Sequence, residues 1–437
     1  MHPLRSIIQS LGVRAATLPI TAFTALAVTH TLVGAVGVPG YALFALVTTL
    51  PAALPITDLG GGAAIVDAVA RDRSARRALV CGTVLSAARN LMCAGALIAT
   101  MGVTMTVLGL WKWVLGDVTQ PGSGVACAIA SLLFGFSMPL GLGSSLLTAV
   151  NRTPAALLLR AAASILLLAL VLVVAALDAP CEAFVATFFF SQCVVGVVSI
   201  VLASRYLRLP LLRIIMGSAR GRARKDRVRI GQLAVPMAIV TAATAVAYAT
   251  DRLVLSHTAD AAAVAEYSAG AQFFLAASSL LGAAGLPLWA IFARRRRSSG
   301  KPRRDLFRLT TCFAVGGLVV GALMIALGPG VGSWTMHGRI QVGTDLMASF
   351  AALLFVQAVG YPATMWLTDA AGLRFQATAF SLMAVVNVAV SIPLAQLGAA
   401  GPVIGSVLAY AAFVLAPALF RSFRRGDAMP YQSCDFH

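Results

Sequence analysis

The sequence predicts an all-α integral membrane protein with about twelve transmembrane helices in two pseudo-repeated halves. Of the 437 residues, 59% are hydrophobic and only 11% are charged, whereas a soluble globular domain averages roughly 25% charged residues. The apolar residues form long runs instead of short alternating strands, which indicates membrane helices and not an outer-membrane barrel. Polar landmarks recur at similar separations in the two halves, which indicates a duplication.

Twelve apolar segments are long enough to cross a bilayer, because ~20 residues span ~30 Å of hydrocarbon at about 1.5 Å per residue. The predicted segments are 15–36, 40–66, 79–103, 123–149, 155–177, 183–204, 233–256, 263–292, 307–328, 344–368, 375–397 and 402–420. They divide the chain into an N-terminal six-helix lobe at 1–204, a basic cytoplasmic connection at 205–232, a C-terminal six-helix lobe at 233–420 and a cytoplasmic tail at 421–437.

The repeated landmarks occupy corresponding helices of the two lobes. Because each lobe holds an even number of helices, both lobes have the same orientation and the repeat axis lies along the membrane normal. The matched pairs are Pro19 with Pro236, Tyr41 with Tyr267, Pro139 with Pro362, and Arg152 with Arg374.

The net charge of +18 is explained by the membrane topology and does not indicate a nucleic-acid-binding surface. Basic residues cluster in short blocks between alternate segments, and the opposite connections hold little more than Lys112 and Arg339. Because positive residues stay on the cytoplasmic side, both termini are expected to be cytoplasmic. Anionic membrane lipids are the expected partners of these blocks, and nucleic acid is not.

The sequence carries no signature of an enzyme. It has no HExxH, GxSxG or GxxxxGK[ST] motif, and Asp and Glu total only 15. Its seven cysteines form no CxxC pair, and most lie in apolar runs, where cysteine behaves as a small hydrophobic residue. We therefore expect no catalytic residue, metal site or cofactor.

Charged residues inside the apolar segments are the candidates for function, because each is costly if it faces lipid. Arg89, beside Asn90, lies midway along the third segment and is the leading candidate for contact with an anionic substrate group, since a guanidinium binds phosphate bidentately. A buried ion pair with an acid on another helix is the alternative.

Three further arginines are candidate substrate contacts. Arg14 and Arg160 lie near the inner ends of the first and fifth segments, where each either contacts substrate or extends to the inner membrane surface. Arg252 either belongs to an outer cavity rim or is compensated locally by Asp251.

Asp58, Asp251 and His30 are the candidate coupling residues. Asp58 precedes the 60–62 glycine triplet and either binds a cation or proton, or pairs with an arginine such as Arg89 or Arg14. His30 either senses protons near neutral pH or is a hydrogen-bonded packing residue. Uncharged polar residues suit either a sugar-binding cavity or hydrogen bonds between helices; they are Gln192, Gln272, Gln357 and Asn387.

Two stretches resemble a known family. The stretch GVPGYALFALVTTLPAALPITDLGGGAAIVDAVAR is similar to the G-x-x-x-Y-x-x-F … D-L-G-x-x-x-A-I-V pattern of polysaccharide and O-antigen flippases. The stretch DRLVLSHTADAAAVAEYSAGAQFF is similar to their D-x-L-x-L … V-A-x-Y-S-x-A segment. These flippases belong to the multidrug/oligosaccharidyl-lipid/polysaccharide (MOP) exporter superfamily.

The resemblance implies a MATE-like fold, in which two six-helix lobes surround a central cavity and work by alternating access. It implies a multi-pass protein of the bacterial inner (plasma) membrane that moves undecaprenyl-diphosphate-linked oligosaccharide from the inner to the outer leaflet. Glycan-assembly proteins are the further partners that this role implies.

Two other functions remain open at this point. A cation-coupled multidrug exporter of the same superfamily would bind cationic amphiphiles, so Asp58 and Asp251 would matter more than the arginines. A membrane-embedded glycan polymerase or glycosyltransferase would need a catalytic loop on the outer face, and the predicted outer connections are short.

Overall fold

The computed structural model of the chain is built from helices that extend over most of its length. It describes residues 3–53, 65, 69, 76–150, 152–207, 209–211, 234–295 and 302–427. Asp58 and the 60–62 glycine triplet lie outside the described residues, as does most of the basic connection at 205–232.

The first lobe contains six helices, each apolar over most of its length. They are α1 (Pro3–Ala53), α2 (Arg76–Val107), α3 (Ser123–Leu140), α4 (Leu142–Ala149), α5 (Thr153–Ala176) and α6 (Cys181–Leu207). Between α2 and α3 the chain forms a helical turn at Lys112–Leu115 and a 3-10 turn at Gly116–Val118.

The second lobe repeats this plan with longer unbroken helices. They are α7 (Ala234–Thr258), α8 (Ala261–Arg295), α9 (Pro302–Thr335), α10 (Thr344–Trp366), α11 (Ala370–Leu394), α12 (Ala400–Tyr410) and α13 (Ala416–Asp427). A π-helical turn at Ala411–Leu415 joins α12 to α13, so this helix runs past the predicted end of the last segment at 420.

The prediction of two helices at 15–36 and 40–66 is confirmed where the structure describes them, up to residue 53. The two helices meet at a sharp kink at Gly37 without an intervening loop, and α1 denotes both as its two arms. Gly37 has φ 75° and ψ −178°, a conformation that glycine adopts without steric cost. Pro39 then opens the second arm with its fixed φ and no backbone N–H to satisfy.

The predicted helix at 123–149 is confirmed as one membrane-spanning stretch, Ser123–Ala149. A local irregularity at Gly141 divides it into α3 and α4, although Gly141 itself keeps helical dihedrals, φ −57° and ψ −24°. Pro139 lies in the last turn of α3, where it cannot donate to the helical hydrogen-bond ladder. The corresponding Pro362 lies inside α10 without such an irregularity, and Gly141 is exposed beside a cavity.

About twelve membrane crossings result. Ten stretches of the described residues are long and apolar enough to span a bilayer, and the first of them, 12–51, contains both arms of α1. The 35-residue α8 occupies the place of the predicted eighth helix. The protein is thus an all-α, multi-pass membrane protein.

The two lobes use the same helix pairings. In the first lobe α1 packs on α5, α2 on α3, α3 on α6, and α5 on α6. In the second lobe α7 packs on α11, α9 on α10, α10 on α12, and α11 on α12. The matching pairs support the duplication that the sequence landmarks indicate.

One end of the bundle, which we call the far face, carries the Gly37 kink and the 108–122, 177–180, 259–260 and 336–343 connections. Contacts between these connections and the helix ends fix them at one level. They include Cys181 Sγ to the Gly40 carbonyl at 3.6 Å, His257 Nε2 to the Trp113 carbonyl at 2.9 Å, and the Gly343 amide to Glu266 Oε1 at 2.8 Å. The opposite end, which we call the near face, carries the first turns of α1.

Candidate transport site

A polar cavity of about 370 Å³ lies among α4, α5 and α6 of the first lobe. We call it the hydroxyl pocket, because hydroxyl groups dominate its polar lining. Gly141, at the break between α3 and α4, forms part of its wall. The polar side chains that line it are Ser144, Thr148, Thr153, Arg160, Gln192 and Ser199.

The hydroxyl pocket offers both acceptors and donors to a ligand. Ser144 Oγ donates to the Gly141 carbonyl at 2.9 Å, and Thr148 Oγ1 donates to the Ser144 carbonyl at 3.0 Å. Because those protons are used within the helix, the hydroxyl oxygens present lone pairs to the cavity. Arg160 contributes up to five N–H donors and a fixed positive charge. This combination suits sugar hydroxyls and an anionic group.

Exposed polar side chains in membrane helices indicate a water-filled or ligand-filled space rather than lipid. Ser144, Thr148, Arg160 and Gln192 are all exposed within spanning segments. The cavity is therefore suited to a polar ligand rather than to a lipid chain. Of the sequence-predicted substrate contacts, Arg160 is the one that lines it.

The leading sequence candidates, Arg89 and Asn90, lie elsewhere. Both are exposed on α2, and neither lines the hydroxyl pocket. Their role as substrate contacts stays a prediction. Since Asp58 lies outside the described residues, its predicted pairing with Arg89 or Arg14 is not addressed by the structure.

Arg14 lies at the contact between the lobes. It is half-buried on the first arm of α1, and its Nη2 would be 3.7 Å from a Cβ placed on Gly282 of α8. The missing side chain at Gly282 thus lets the guanidinium come close to the second lobe.

A polar cluster joins the lobes deeper in the bundle. Gln272 of α8 donates through Nε2 to Thr29 Oγ1 at 2.6 Å and to the Tyr41 hydroxyl at 3.0 Å, one from each arm of α1. Arg252 Nε donates to Ser268 Oγ at 3.2 Å within the second lobe. Gln272 is therefore a hydrogen-bonded contact between helices and not a lining residue of the hydroxyl pocket.

Asp251 is the most enclosed acidic group that the structure describes, with 1% of its surface exposed. Local compensation by Arg252 was one of the two expectations, and the structure does not show it, because the recorded partners of the Asp251 carboxylate are uncharged. They are Tyr267 Oη at 3.1 Å, Asn387 Nδ2 at 3.2 Å, Ser391 Oγ at 3.3 Å and Ser406 Oγ at 3.0 Å.

The partners of Asp251 come from three other helices, α8, α11 and α12, so the carboxylate holds the second lobe together around itself. All of them are neutral, and burial of a carboxylate without a cation is costly. The arrangement suits the uptake of a proton or a small monovalent cation. No group of three or more His, Cys, Asp or Glu that could hold a metal ion occurs among the described residues.

The far face closes through histidine contacts between the lobes. The His30 ring stacks between Trp334, at 4.5 Å between ring centroids, and His337, at 3.8 Å. His337 Nε2 donates to the His30 carbonyl at 2.9 Å, and Arg339 Nη1 donates to the Val33 carbonyl at 3.0 Å. We call this set, together with the contact of His257 with Trp113, the far-face latch. His30 thus packs at the contact between the lobes, and its role as a coupling residue stays a prediction.

Sequence reasoning missed the hydroxyl residues of the pocket. Ser144 and Thr148 look like ordinary helix residues. The signal in the sequence is their spacing: Gly141, Ser144 and Thr148 follow one another at about one helical turn, which places them on the same face of the helix. It also missed Ser406 and His337, because nothing in their local sequence connects them with Asp251 or His30.

The chain is similar to known proteins in sequence and in fold. The model of a family of polysaccharide biosynthesis proteins matches residues 18–288, which is more than half of the chain. The chain belongs to this family. No curated protein sequence matches it.

Solved structures with the same fold are transporters of the MOP superfamily. An inward-facing MATE multidrug resistance transporter is similar at TM-score 0.70 and 13% identity, over 95% of this chain and 97% of that one. The lipid II flippase MurJ in an inward closed conformation is similar at TM-score 0.65 and 12% identity, over 94% and 89%. A MOP transporter from Pyrococcus furiosus is similar at TM-score 0.61 and 11% identity, over 97% and 94%. The MATE-like fold predicted from the sequence is confirmed.

Proposed function

We propose that the protein moves a lipid-linked oligosaccharide, with an undecaprenyl diphosphate carrier, from the inner to the outer leaflet of a bacterial plasma membrane. The single observation that supports this proposal most directly is the hydroxyl pocket, a polar cavity among membrane helices that is lined by Arg160. Membership of the polysaccharide biosynthesis family supports a glycan as the cargo. The fold supports a transporter without covalent chemistry, and one protein with this fold is a lipid II flippase.

The substrate head group would enter from the near face, which the positive-inside rule assigns to the cytoplasm together with both termini. Arg160 would bind a phosphate of the diphosphate, because a guanidinium pairs bidentately with phosphate. Hydroxyl and amide groups of Ser144, Thr148 and Gln192 would receive the sugars. Removing Arg160 would then lower the affinity for the charged head group and have little effect on the stability of the fold.

Alternating access would come from a rocking motion of lobe 1–204 against lobe 233–420. The far-face latch holds the two lobes together at the far face in the described conformation. Opening the far face requires these contacts to break and the lobes to approach each other at the near face. The polar cluster around Gln272 lies between the two ends, where the lobes turn on one another.

Asp251 would couple the motion to an ion gradient. A proton or cation bound to the carboxylate removes the cost of a buried charge and changes the hydrogen bonds from Tyr267 and Ser406. Since Tyr267 lies on α8, which contacts α1 of the first lobe, the ion-bound and ion-free states would differ in how the lobes pack.

A cation-coupled multidrug exporter is the second candidate function, and Asp251 favours it. A buried carboxylate also suits exchange between a cationic drug and an ion, and a MATE transporter shares the fold. This alternative predicts that Asp251 is essential and that Arg160 is dispensable.

The experiment follows the leaflet distribution of undecaprenyl-linked glycans in a strain that lacks the gene. Wild type is expected to restore the outer-leaflet pool, whereas Arg160→Gln is expected to leave the lipid-linked unit on the cytoplasmic side. Arg152→Gln is the matched control, because Arg152 is exposed at the start of α5 and lies 4.6 Å over the Tyr206 ring outside the pocket. A normal leaflet distribution without the gene, together with increased sensitivity to cationic dyes, would replace the flippase by the drug exporter.

A further inference from the structure

The hydroxyl pocket presents its polar groups in a definite order from the near face inwards. Its mouth lies at the near face, because Thr148 is in the last turn of α4 and Thr153 is the first residue of α5. Arg160 lies about two turns further along α5, which is roughly 10 Å deeper. Beyond Arg160, α5 is apolar up to its end at Ala176, apart from Ser164. The backbone of Arg160 therefore lies below the mouth, where α5 changes from polar to apolar.

Ser144 and Ser199 lie at one level between the mouth and Arg160. Ser144 is about one turn deeper than Thr148 on α4. A Cβ placed on the neighbouring Gly143 would be 2.7 Å from Ser199 Cβ, so α4 and α6 touch at this level. Ser199 is 3% exposed and still lines the cavity. Hydroxyl groups thus extend from the mouth to the level of the arginine.

Three of the four hydroxyl groups in the pocket have already used their protons. They donate to main-chain carbonyls of their own helices, Ser144 at 2.9 Å, Thr148 at 3.0 Å and Ser199 at 2.7 Å. A hydroxyl has one proton and two lone pairs, so each of these groups presents lone pairs to the cavity. The described lining residues include one positive charge, that of Arg160, and no acidic side chain.

We propose that the hydroxyl pocket selects a lipid-linked glycan whose phosphate-bound sugar is uncharged, and rejects one whose phosphate-bound sugar carries a carboxylate. This inference rests on the proposed function. A lipid of the inner leaflet has its tail towards the membrane centre and its head group towards the cytoplasm. The order of tail, phosphate and sugar then matches the apolar part of α5, Arg160 and the hydroxyl groups.

The sugar beside the phosphate would meet mainly lone pairs. Its hydroxyl groups both donate and accept, so they can donate to Ser144, Thr148 and Ser199 while those residues keep the bonds to their own helices. A carboxylate only accepts. With the guanidinium of Arg160 bound to phosphate, most of the hydrogen bonds that the carboxylate makes in water would not be replaced, which is costly.

The test measures binding to the purified protein in detergent by calorimetry. The probes are citronellyl diphosphate alone, the same compound linked to glucose, and the same compound linked to glucuronic acid, which has a carboxylate in place of the hydroxymethyl group of glucose. The glucose compound is expected to bind about tenfold more tightly than the glucuronic acid compound. Since the net charge of +18 favours the more anionic probe, equal affinities or the reverse ranking would overturn the inference.

Thr148→Val tests whether the pocket makes this selection. Valine has nearly the shape of threonine but no lone pair, and Thr148 is exposed at the end of a helix, so the fold is expected to persist. The preference for the glucose compound is expected to fall about fivefold, as for the loss of one hydrogen bond. The affinity for citronellyl diphosphate alone is expected to stay unchanged.

Thr311→Val is the matched control for that variant. Thr311 is exposed on α9 outside the pocket, and its hydroxyl makes the same kind of bond, to the Phe307 carbonyl at 3.0 Å. The control is expected to keep the full preference for the glucose compound. An undiminished preference in the Thr148→Val protein would place the selection outside the pocket and overturn the inference.

Two results separate this inference from the proposed function. If the leaflet assay shows that the wild-type protein reorients lipid-linked glycan but the two sugar compounds bind equally, only the sugar selection is wrong. If the wild-type protein reorients no lipid-linked glycan in that assay, the proposed function fails, and the sugar selection fails with it.

Discussion

The phenolic hydroxyl of Tyr267 donates a 3.1 Å hydrogen bond to the carboxylate of Asp251, and both side chains are buried in the second lobe. The same tyrosine ring lies 5.6 Å from the guanidinium carbon of Arg252. Tyr267 thus contacts an acidic and a basic side chain at once, on a helix that also contacts the first lobe. The side chain of Tyr267 therefore links the charge state of Asp251 to the position of Arg252.

Replacing Asp251 with asparagine is expected to reduce the stimulation of transport by an ion gradient while the protein remains folded. Asparagine keeps the size of the side chain and accepts hydrogen bonds through one oxygen, but it carries no charge that a proton or cation can neutralise. The measurement is transport into proteoliposomes with and without an imposed proton or sodium gradient. The stimulation by the gradient is expected to fall about tenfold, within the usual range of coupling energies.

Asp260→Asn is the matched control for that variant. Asp260 is exposed at the far face, where its Oδ1 accepts from the Ala263 amide at 2.9 Å, and asparagine serves equally well at such a position. If the gradient stimulates transport by the Asp251→Asn protein as much as it does in wild type, the coupling ion binds elsewhere.

Replacing His337 with phenylalanine is expected to loosen the far-face latch. Phenylalanine retains an aromatic ring to stack on His30 but loses the 2.9 Å hydrogen bond to the His30 carbonyl. A cysteine introduced at the buried Val33 position, in a protein without other cysteines, reports the opening through its reaction rate with a maleimide. The rate is expected to rise about fivefold, the factor for about 1 kcal/mol per hydrogen bond.

Arg424→Ala provides the comparison for the latch, because Arg424 lies on α13, 5.0 Å over the Phe420 ring and away from the latch. An unchanged rate in the His337→Phe protein would mean that the other contacts of the latch keep the far face closed without this hydrogen bond.

Arg160 and Arg89 are alternative binding sites for the anionic head group. Sequence reasoning favours Arg89, whereas the hydroxyl pocket contains Arg160. Binding of a short-chain polyprenyl diphosphate, measured by calorimetry in detergent, is expected to weaken about tenfold or more in Arg160→Gln, as for the loss of a charge-assisted contact. The affinity of Arg89→Gln is expected to stay close to that of wild type. The reverse ranking would move the head-group site to α2.

Replacing Gly135 with alanine is expected to destabilise the first lobe by about 1–3 kcal/mol, as overpacking does. A Cβ at Gly135 of α3 would collide with the backbone carbonyl of Gly95 on α2, so the two helices would have to separate. Gly82→Ala on the same α2 is the control, since a Cβ there meets nothing within 4 Å. Thermal unfolding in detergent compares the two variants, and equal melting temperatures would contradict the close helix approach.

The sequence predicts the helices well because their length and apolar character are local properties. The ends of α5 differ from the predicted 155–177 by no more than two residues. The span Ser123–Ala149 has the predicted ends, but the irregularity at Gly141 was not predicted, since Pro139 and Pro362 look alike in sequence and only the first lobe shows it. Whether a proline disturbs a helix depends on its packing, which the local sequence does not contain.

The candidate site was predicted less well, because its chemistry is assembled from distant segments. Asp251 was recognised as a charge within an apolar segment, but its partners Asn387, Ser391 and Ser406 lie more than a hundred residues away along the chain. The sequence alone does not show whether a hydroxyl on an apolar helix contacts a buried charge, lines a cavity or bonds to its own helix. Buried charges are therefore detectable from sequence, and the uncharged groups that surround them are not.

The kink at Gly37 has a consequence for how the chain is made. Because only the kink at Gly37 separates the two arms of α1, the ribosome delivers the turning point without a polar loop. Neither arm would leave the translocon alone with a charged connection to anchor it. The two arms are expected to enter the bilayer together as a hairpin, and the reversal at Gly37 would form during synthesis, before the second lobe exists.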